Sequence, residues 1–206
     1  MFFVLKSNAI IAQDSLNRVN TAIKINPTLF FRGELPVYLE QKITGNLSLE
    51  VAYIWTKRDV FSGTFDHDLD DLSGLSEVET GNGFKGALRW YLRKSQELDG
   101  PYISAEYSKK ELKKYFFQMD TLGLVTNERI LDRRNFEEYK LLFGMQRLGY
   151  YSNFFFDFYG GIGYKIKDFE EVHQEPLRET QPSHFIIINN EERISFYAGF
   201  KIGLGF

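Results

Sequence analysis

Hydrophobic and polar residues alternate with a period of two along most of this chain, and the last run is the clearest. From Arg193 to Phe206 one face carries Ile194, Phe196, Ala198, Phe200, Ile202, Leu204 and Phe206. The other carries Arg193, Ser195, Tyr197, Gly199, Lys201, Gly203 and Gly205. A period of two marks a strand whose faces meet different surroundings. Strands of soluble domains usually run ~5–6 residues, so a run this long suits a strand tilted across a membrane.

The pattern recurs upstream. Phe154, Phe156, Phe158, Ile162, Tyr164 and Ile166 oppose Asp157, Tyr159, Gly161, Gly163, Lys165 and Lys167, with Phe155 as an apolar exception on the polar face. Similar alternation covers 139–146, 103–108, 84–93 and 47–56. It is weaker through Ile23, Ile25, Leu29 and Phe31 and through Leu35, Val37 and Leu39, which completes eight predicted strands. Thr44 to Asn46, Ser95 to Gly100 and Gly149 to Asn153 read as short turns. Lys57 to Asn82, Lys109 to Glu137 and Asp168 to Glu192 read as longer polar loops, with a tight hairpin around Arg32-Gly33-Glu34 on the same side. Short turns on one rim, long loops on the other and an even strand count describe an all-β, eight-stranded antiparallel up-and-down transmembrane barrel. Its short turns would be periplasmic and its longer loops extracellular.

Which face points inward separates this reading from a soluble, lipocalin-like lipid-binding barrel, whose interior would be apolar. Lys24, Glu40, Glu50, Lys85, Arg89, Glu106, Lys140, Asp157 and Lys201 sit mid-strand on the polar face, mixed in sign and interleaved with glycine. Such a set fits a narrow lumen in which each ion finds a partner and glycines make room for long Arg and Lys side chains. The apolar set would then face lipid. An eight-stranded barrel is filled by its own side chains, which excludes a large pore.

Composition sharpens this picture at a few points. The content of 20 Phe and 12 Tyr is high, the net charge of -3 gives no reason to expect nucleic acid, and the lack of Cys excludes disulfides and thiol chemistry. No stretch reaches the ~18 apolar residues of a spanning helix, which leaves a barrel open as the way across. Residues 1–12 are read as a remnant of a clipped signal peptide with Ala12 before the cut, and 13–206 as one barrel domain.

With these features in place the chain resembles the small outer-membrane β-barrel proteins of the outer-membrane protein A and X barrel type, from Gram-negative envelopes. The resemblance rests on the terminal FYAGFKIGLGF and on VYLEQKITGNLSLEVAYIW, a strand, Thr-Gly-Asn turn and strand with Glu40 and Glu50 pointing inward. It implies a bare barrel in the outer membrane, among outer-membrane lipids and lipopolysaccharide. It also implies that Phe206 is the terminal aromatic recognised by the barrel-assembly machinery. The expected state is a monomer without cofactor, in a structural or loop-mediated interaction role.

Candidate chemistry changes this reading little. A lipopolysaccharide-modifying barrel enzyme would need a His oriented by a carboxylate beside a nucleophile. His67, His173 and His184 all fall in predicted loops, Ser183 and His184 would point to opposite faces of an extended segment, and His173 follows Glu170 and Glu171 without an evident Ser. No catalytic residue is assigned. Asp66, Asp68, Asp70 and Glu77 match positions of a calcium loop, but Asp71 stands where Gly is required. That stretch is read as a solvated acidic loop and no metal site is assigned. The run Lys109-Lys110-Glu111-Leu112-Lys113-Lys114-Tyr115-Phe116, with Arg129, Arg133 and Arg134, is read as contacts to phosphates of lipid headgroups.

Overall fold

The computed structural model describes residues 19–31, 33–56, 76–94, 97–119, 125–149, 153–174 and 184–206. Its strands are β1 (Thr21–Ile25), β2 (Glu34–Lys42), β3 (Leu47–Thr56), β4 (Ser76–Glu79), β5 (Gly81–Tyr91), β6 (Gly100–Met119), β7 (Val125–Leu148), β8 (Phe154–Gln174) and β9 (His184–Gly205). A one-turn helix, α1 (Pro27–Phe30), follows β1. Both β4 and β5 pair with β6, meeting it at Glu79–Lys113 and Gly83–Lys110, so they form one barrel strand broken at Thr80. Each barrel strand pairs antiparallel with its sequence neighbours, and β1 closes the ring on β9. The result is the expected closed, eight-stranded up-and-down barrel.

Closure depends on the chain ends of the barrel. The Phe206 carbonyl accepts hydrogen bonds from Asn20 N at 3.0 Å and Thr21 N at 3.1 Å, and Phe206 N donates to Thr21 O at 2.8 Å. The Phe206 ring points outward from this seam on the short-turn rim.

Sidedness follows the alternation. In β2 the pattern runs buried–exposed through eight successive residues, with Glu34, Pro36, Tyr38 and Glu40 turned inward and Leu35, Val37 and Leu39 outward. Trp55, Phe84, Trp90, Leu141, Phe143 and Phe158 likewise stand exposed on the outer face. Phe155, the exception in the pattern, is fully buried and explains itself. It joins Val19, Ala22, Tyr91, Leu98 and Tyr102 in an apolar plug across the short-turn end.

Two expectations are corrected. The strand expected to run through Leu29 and Phe31 ends at Ile25. Asn26 Oδ1 accepts from Thr28 N at 3.1 Å as a helix cap, and Pro27, which has no N–H for a strand ladder, starts α1. The long polar stretches are also not simply loops. β6 and β7 stay paired to Met119–Val125, and β8 and β9 to Gln174–His184. Pairing between β7 and β8 stops at Arg134–Phe169, so two separate ribbons rise above the ring. Their composition hid them: a ribbon that stands clear of the ring encloses no interior, so its two faces need not differ, and alternation fades while the backbone ladder continues. The expected loop Lys57 to Asn82 likewise ends in β4 and the start of β5. Its acidic run Asp66 to Asp71, with His67, lies outside the described residues, as do residues 1–12.

Candidate functional site

All nine lumen residues expected from the alternation point into the barrel, where they form two storeys. The lower storey sits just above the apolar plug and holds three cations and three anions: Lys24, Arg89 and Lys201 with Glu40, Glu50 and Asp157. Arg89 is at its centre. Its Nη2 lies 2.6 Å from Glu50 Oε2 and its Nη1 lies 2.8 Å from Asp157 Oδ2. Lys24 Nζ pairs with Glu40 and reaches Glu50 and Asp157, each at 3.4 Å. Lys201 Nζ is 2.5 Å from Glu50 Oε1.

Neutral partners complete the set. Tyr91 OH donates to Glu40 Oε1 at 2.8 Å, and Tyr102 OH donates to Asp157 Oδ1 at 2.6 Å. Gln146 Oε1 accepts from Lys24 at 2.6 Å and from Arg89 at 3.0 Å, while its Nε2 donates to the Leu98 carbonyl at 2.8 Å. The Arg89 guanidinium also lies over the Tyr102 ring, 4.4 Å from its centroid. Ions removed from water are tolerated only when their charges and hydrogen bonds are met nearby, and here eight strands contribute to meeting them. Glycine supplies the space: a Cβ on Gly203 would lie 2.7 Å from Lys24 Cγ, and one on Gly163 would lie 2.8 Å from Lys140 Cγ.

The upper storey contains the remaining three expected residues and four more. Lys140 Nζ lies 3.1 Å from Glu106 and 2.6 Å from Glu138, and Lys85 Nζ lies 3.3 Å from Glu106. Lys110 Nζ is 2.7 Å from Glu34 Oε1, and Lys165 Nζ is 3.9 Å from Glu138. Glu34, Lys110 and Glu138 were missed because they sit where strands were expected to give way to turns. The available signal was parity, since Glu106, Ser108 and Lys110 continue one inward set at every second residue.

The basic run starting at Lys109 is thereby divided between two faces. Lys110 turns into the lumen. Lys109 stands on the outside, 2.6 Å from Glu137, while Arg133 Nε is 2.8 Å from Glu111. These carboxylates already neutralise much of the charge that was assigned to headgroup phosphates. Arg129 lies in β7 opposite Phe117, and Arg134 opposite Leu112. His173 and His184 fall in the β8–β9 ribbon rather than in loops, at the register positions of Phe185 and Gln174.

Chemically, the lumen is a set of mutually compensated ions above an apolar seal. Such an interior offers no wide aqueous path. In planar bilayers the protein is expected to give no stable ion conductance, and a steady open level of porin size would contradict the seal. Among the described residues no group of three or more His, Cys, Asp or Glu is placed to hold a metal ion, and none of the lumen ion pairs includes a histidine. Comparison with protein-family models, with curated proteins and with solved structures finds no match to this chain, so its function has to be argued from this geometry.

Proposed function

We propose that this chain is a non-enzymatic membrane barrel of the bacterial outer-membrane type, which anchors the β6–β7 and β8–β9 ribbons beyond the bilayer for structural or interaction roles. The observation that carries the reading is the inverted sidedness: ions are buried and large apolar side chains ring the outside. Exposed apolar patches on soluble monomers seldom exceed a few hundred Å², whereas here every barrel strand contributes to a continuous outer band. Tyr107, Tyr139 and Tyr164 lie in register on three successive strands, and Tyr53 packs on Trp55 with ring centroids 4.6 Å apart. Trp90 stands toward the opposite rim, at the short-turn end of β5. Aromatic residues near both edges of an apolar band are what a bilayer interface favours.

A lipocalin-like reading would require the apolar face to line the interior, and that face is outside. A lipid-modifying reading would need a His beside a carboxylate and a nucleophile, and among the described residues the lumen ion pairs are made by Lys, Arg, Asp and Glu alone. The test is gel migration of the protein folded in detergent, boiled and unboiled, together with membrane fractionation. The expected result is a boiling-dependent shift and recovery with the outer membrane. A protein that is soluble without detergent and shows no shift would overturn the proposal.

A further inference from the structure

β5 ends at Tyr91, and the turn that leads to β6 carries Arg93, Lys94 and Asp99. Asp99 Oδ1 accepts from Leu148 N at 3.0 Å, which fastens this turn to the end of β7. Arg147, the preceding residue of β7, is thereby held beside the turn. A cleft of about 310 Å³ lies between them at the short-turn rim, and its lining includes Arg93, Lys94, Asp99, Pro101, Met145 and Arg147. Lys94 keeps its place by lying against the neighbouring β2–β3 turn, where a Cβ on Gly45 would come 3.2 Å from Lys94 Cγ.

The charges of this cleft do not compensate one another. Three cations line it with one carboxylate, and that carboxylate is already engaged by Leu148 N. Arg147 Nη1 stands 3.8 Å from Asp99 Oδ2, beyond hydrogen-bonding distance, so its planar set of donors stays available. Arg93 and Lys94 are exposed and make no ion pair with a described carboxylate. Glu97, the other acid of the turn, does not line the cleft, and its backbone carbonyl accepts from Lys42 Nζ. The remaining residues of the two adjoining turns, Ser95, Gln96 and Tyr150 to Ser152, bear no charged side chain. Guanidinium groups match the oxygens of a phosphate in geometry as well as in charge.

Where the cleft sits decides what brings the phosphate. Pro101 and Met145 are register partners on β6 and β7, and they line the side toward the apolar band. Trp90 and Leu92 stand exposed at the adjacent end of β5. A ligand with a phosphate at one end and hydrocarbon at the other meets both surroundings at once. At ~30 Å³ per water the cleft equals roughly ten waters, room for a phosphate with part of its headgroup. A zwitterionic headgroup would bring its own ammonium against the same three cations, so a net negative headgroup is selected.

We propose that the cleft between the β5–β6 turn and the end of β7 binds an anionic phospholipid of the leaflet at the short-turn rim. Its phosphate meets Arg93, Lys94 and Arg147, and its acyl chains run along the outer face past Met145 and Trp90. This inference rests on the membrane reading above.

The test is to fold the full chain into vesicles of equal parts phosphatidylglycerol and phosphatidylcholine, extract it in mild detergent and record the retained lipid by native mass spectrometry. One phosphatidylglycerol per chain is expected, favoured over phosphatidylcholine by about tenfold. Arg93→Gln/Lys94→Gln changes two exposed side chains, so it should abolish the preference while keeping the heat-dependent gel shift. Lys109→Gln/Lys113→Gln removes the same charge toward the ribbon end of the barrel and should leave the preference unchanged. Equal retention of both lipids by the intact chain, or the same loss of preference in the two variants, would overturn the site. Displacement of the lipid by inorganic phosphate would reassign the cleft to a free anion and overturn the lipid proposal. A chain with no gel shift in vesicles removes the membrane reading and this inference together; a shifted chain without lipid preference removes only this inference.

Discussion

Replacing Arg89 by Met is expected to destabilise the folded barrel by about 3–5 kcal/mol, the usual cost of breaking a buried ion network by removing one partner. Met keeps the apolar stem but ends short of the guanidinium, so the loss combines the missing charge with the missing packing over Tyr102. Lys24 and Lys201 would remain to compensate Glu40, Glu50 and Asp157, and Asp157 would lose its 2.8 Å contact and Glu50 its 2.6 Å contact. Urea unfolding in vesicles, followed through Trp55 and Trp90, measures the change. The double variant Arg89→Met/Asp157→Asn restores the balance of the storey and should recover most of the loss, since coupling between partners in one network is not additive. Lys109→Met, which breaks an ion pair on the outer surface, should have no measurable effect. If Arg89→Met were as mild as Lys109→Met, the folded barrel would not depend on Arg89 to compensate the buried carboxylates of the lower storey.

Placing an arginine outside should be nearly as harmful as removing one from inside. Phe143 lies near the middle of the outer band on β7, between Leu141 and Met145 on the same face. For a residue facing lipid near the bilayer midplane, Phe143→Arg should cost about 2–4 kcal/mol, falling to ~0–1 for the same change near an interface. Tyr139→Arg, in the row of tyrosines that the membrane proposal puts at the interface, is the matched control. On a barrel surrounded by water both substitutions would be nearly neutral, because an exposed Phe gains little from its position. The difference between the two variants therefore reads the surroundings of the outer face directly. Two equal and small effects would count against a bilayer there, independently of how the protein fractionates.

The two experiments probe the two halves of one pattern, and that pattern was the legible part of the chain. Ile202, Leu204 and Phe206 alternating with Lys201, Gly203 and Gly205 are enough to predict a strand with unlike faces. Mixed charges interleaved with glycine indicate that the polar face is the inner one. Eight such segments with alternating connections then leave a closed up-and-down barrel as the arrangement that pairs every strand on both sides. The nine lumen residues follow from parity, because side chains at every second position share a face regardless of what surrounds the strand.

What could not be read had physical causes of three kinds. Strand ends that rise beyond the closed ring lose their alternation because neither face is enclosed there, so Met119, Val125, Gln174 and His184 as strand termini were invisible, and Lys110 and Glu138 were lost with them. The turn at Asn26-Pro27 was present as cap chemistry, but Leu29 and Phe31 happened to keep the apolar period and masked it. Above all, local sequence carries no information on which charges meet. Lys24 and Asp157 are brought together by closure of β1 on β9, and Arg89 reaches Glu40, Glu50 and Asp157 only because strands far apart in sequence share one narrow interior. The sequence by itself determined that eight strands with unlike faces close a ring, but not where those strands end. The ion partners, the apolar plug around Phe155 and the cationic cleft at the short-turn rim were decided by the tertiary structure, because each depends on register between strands and not on the period of any one strand.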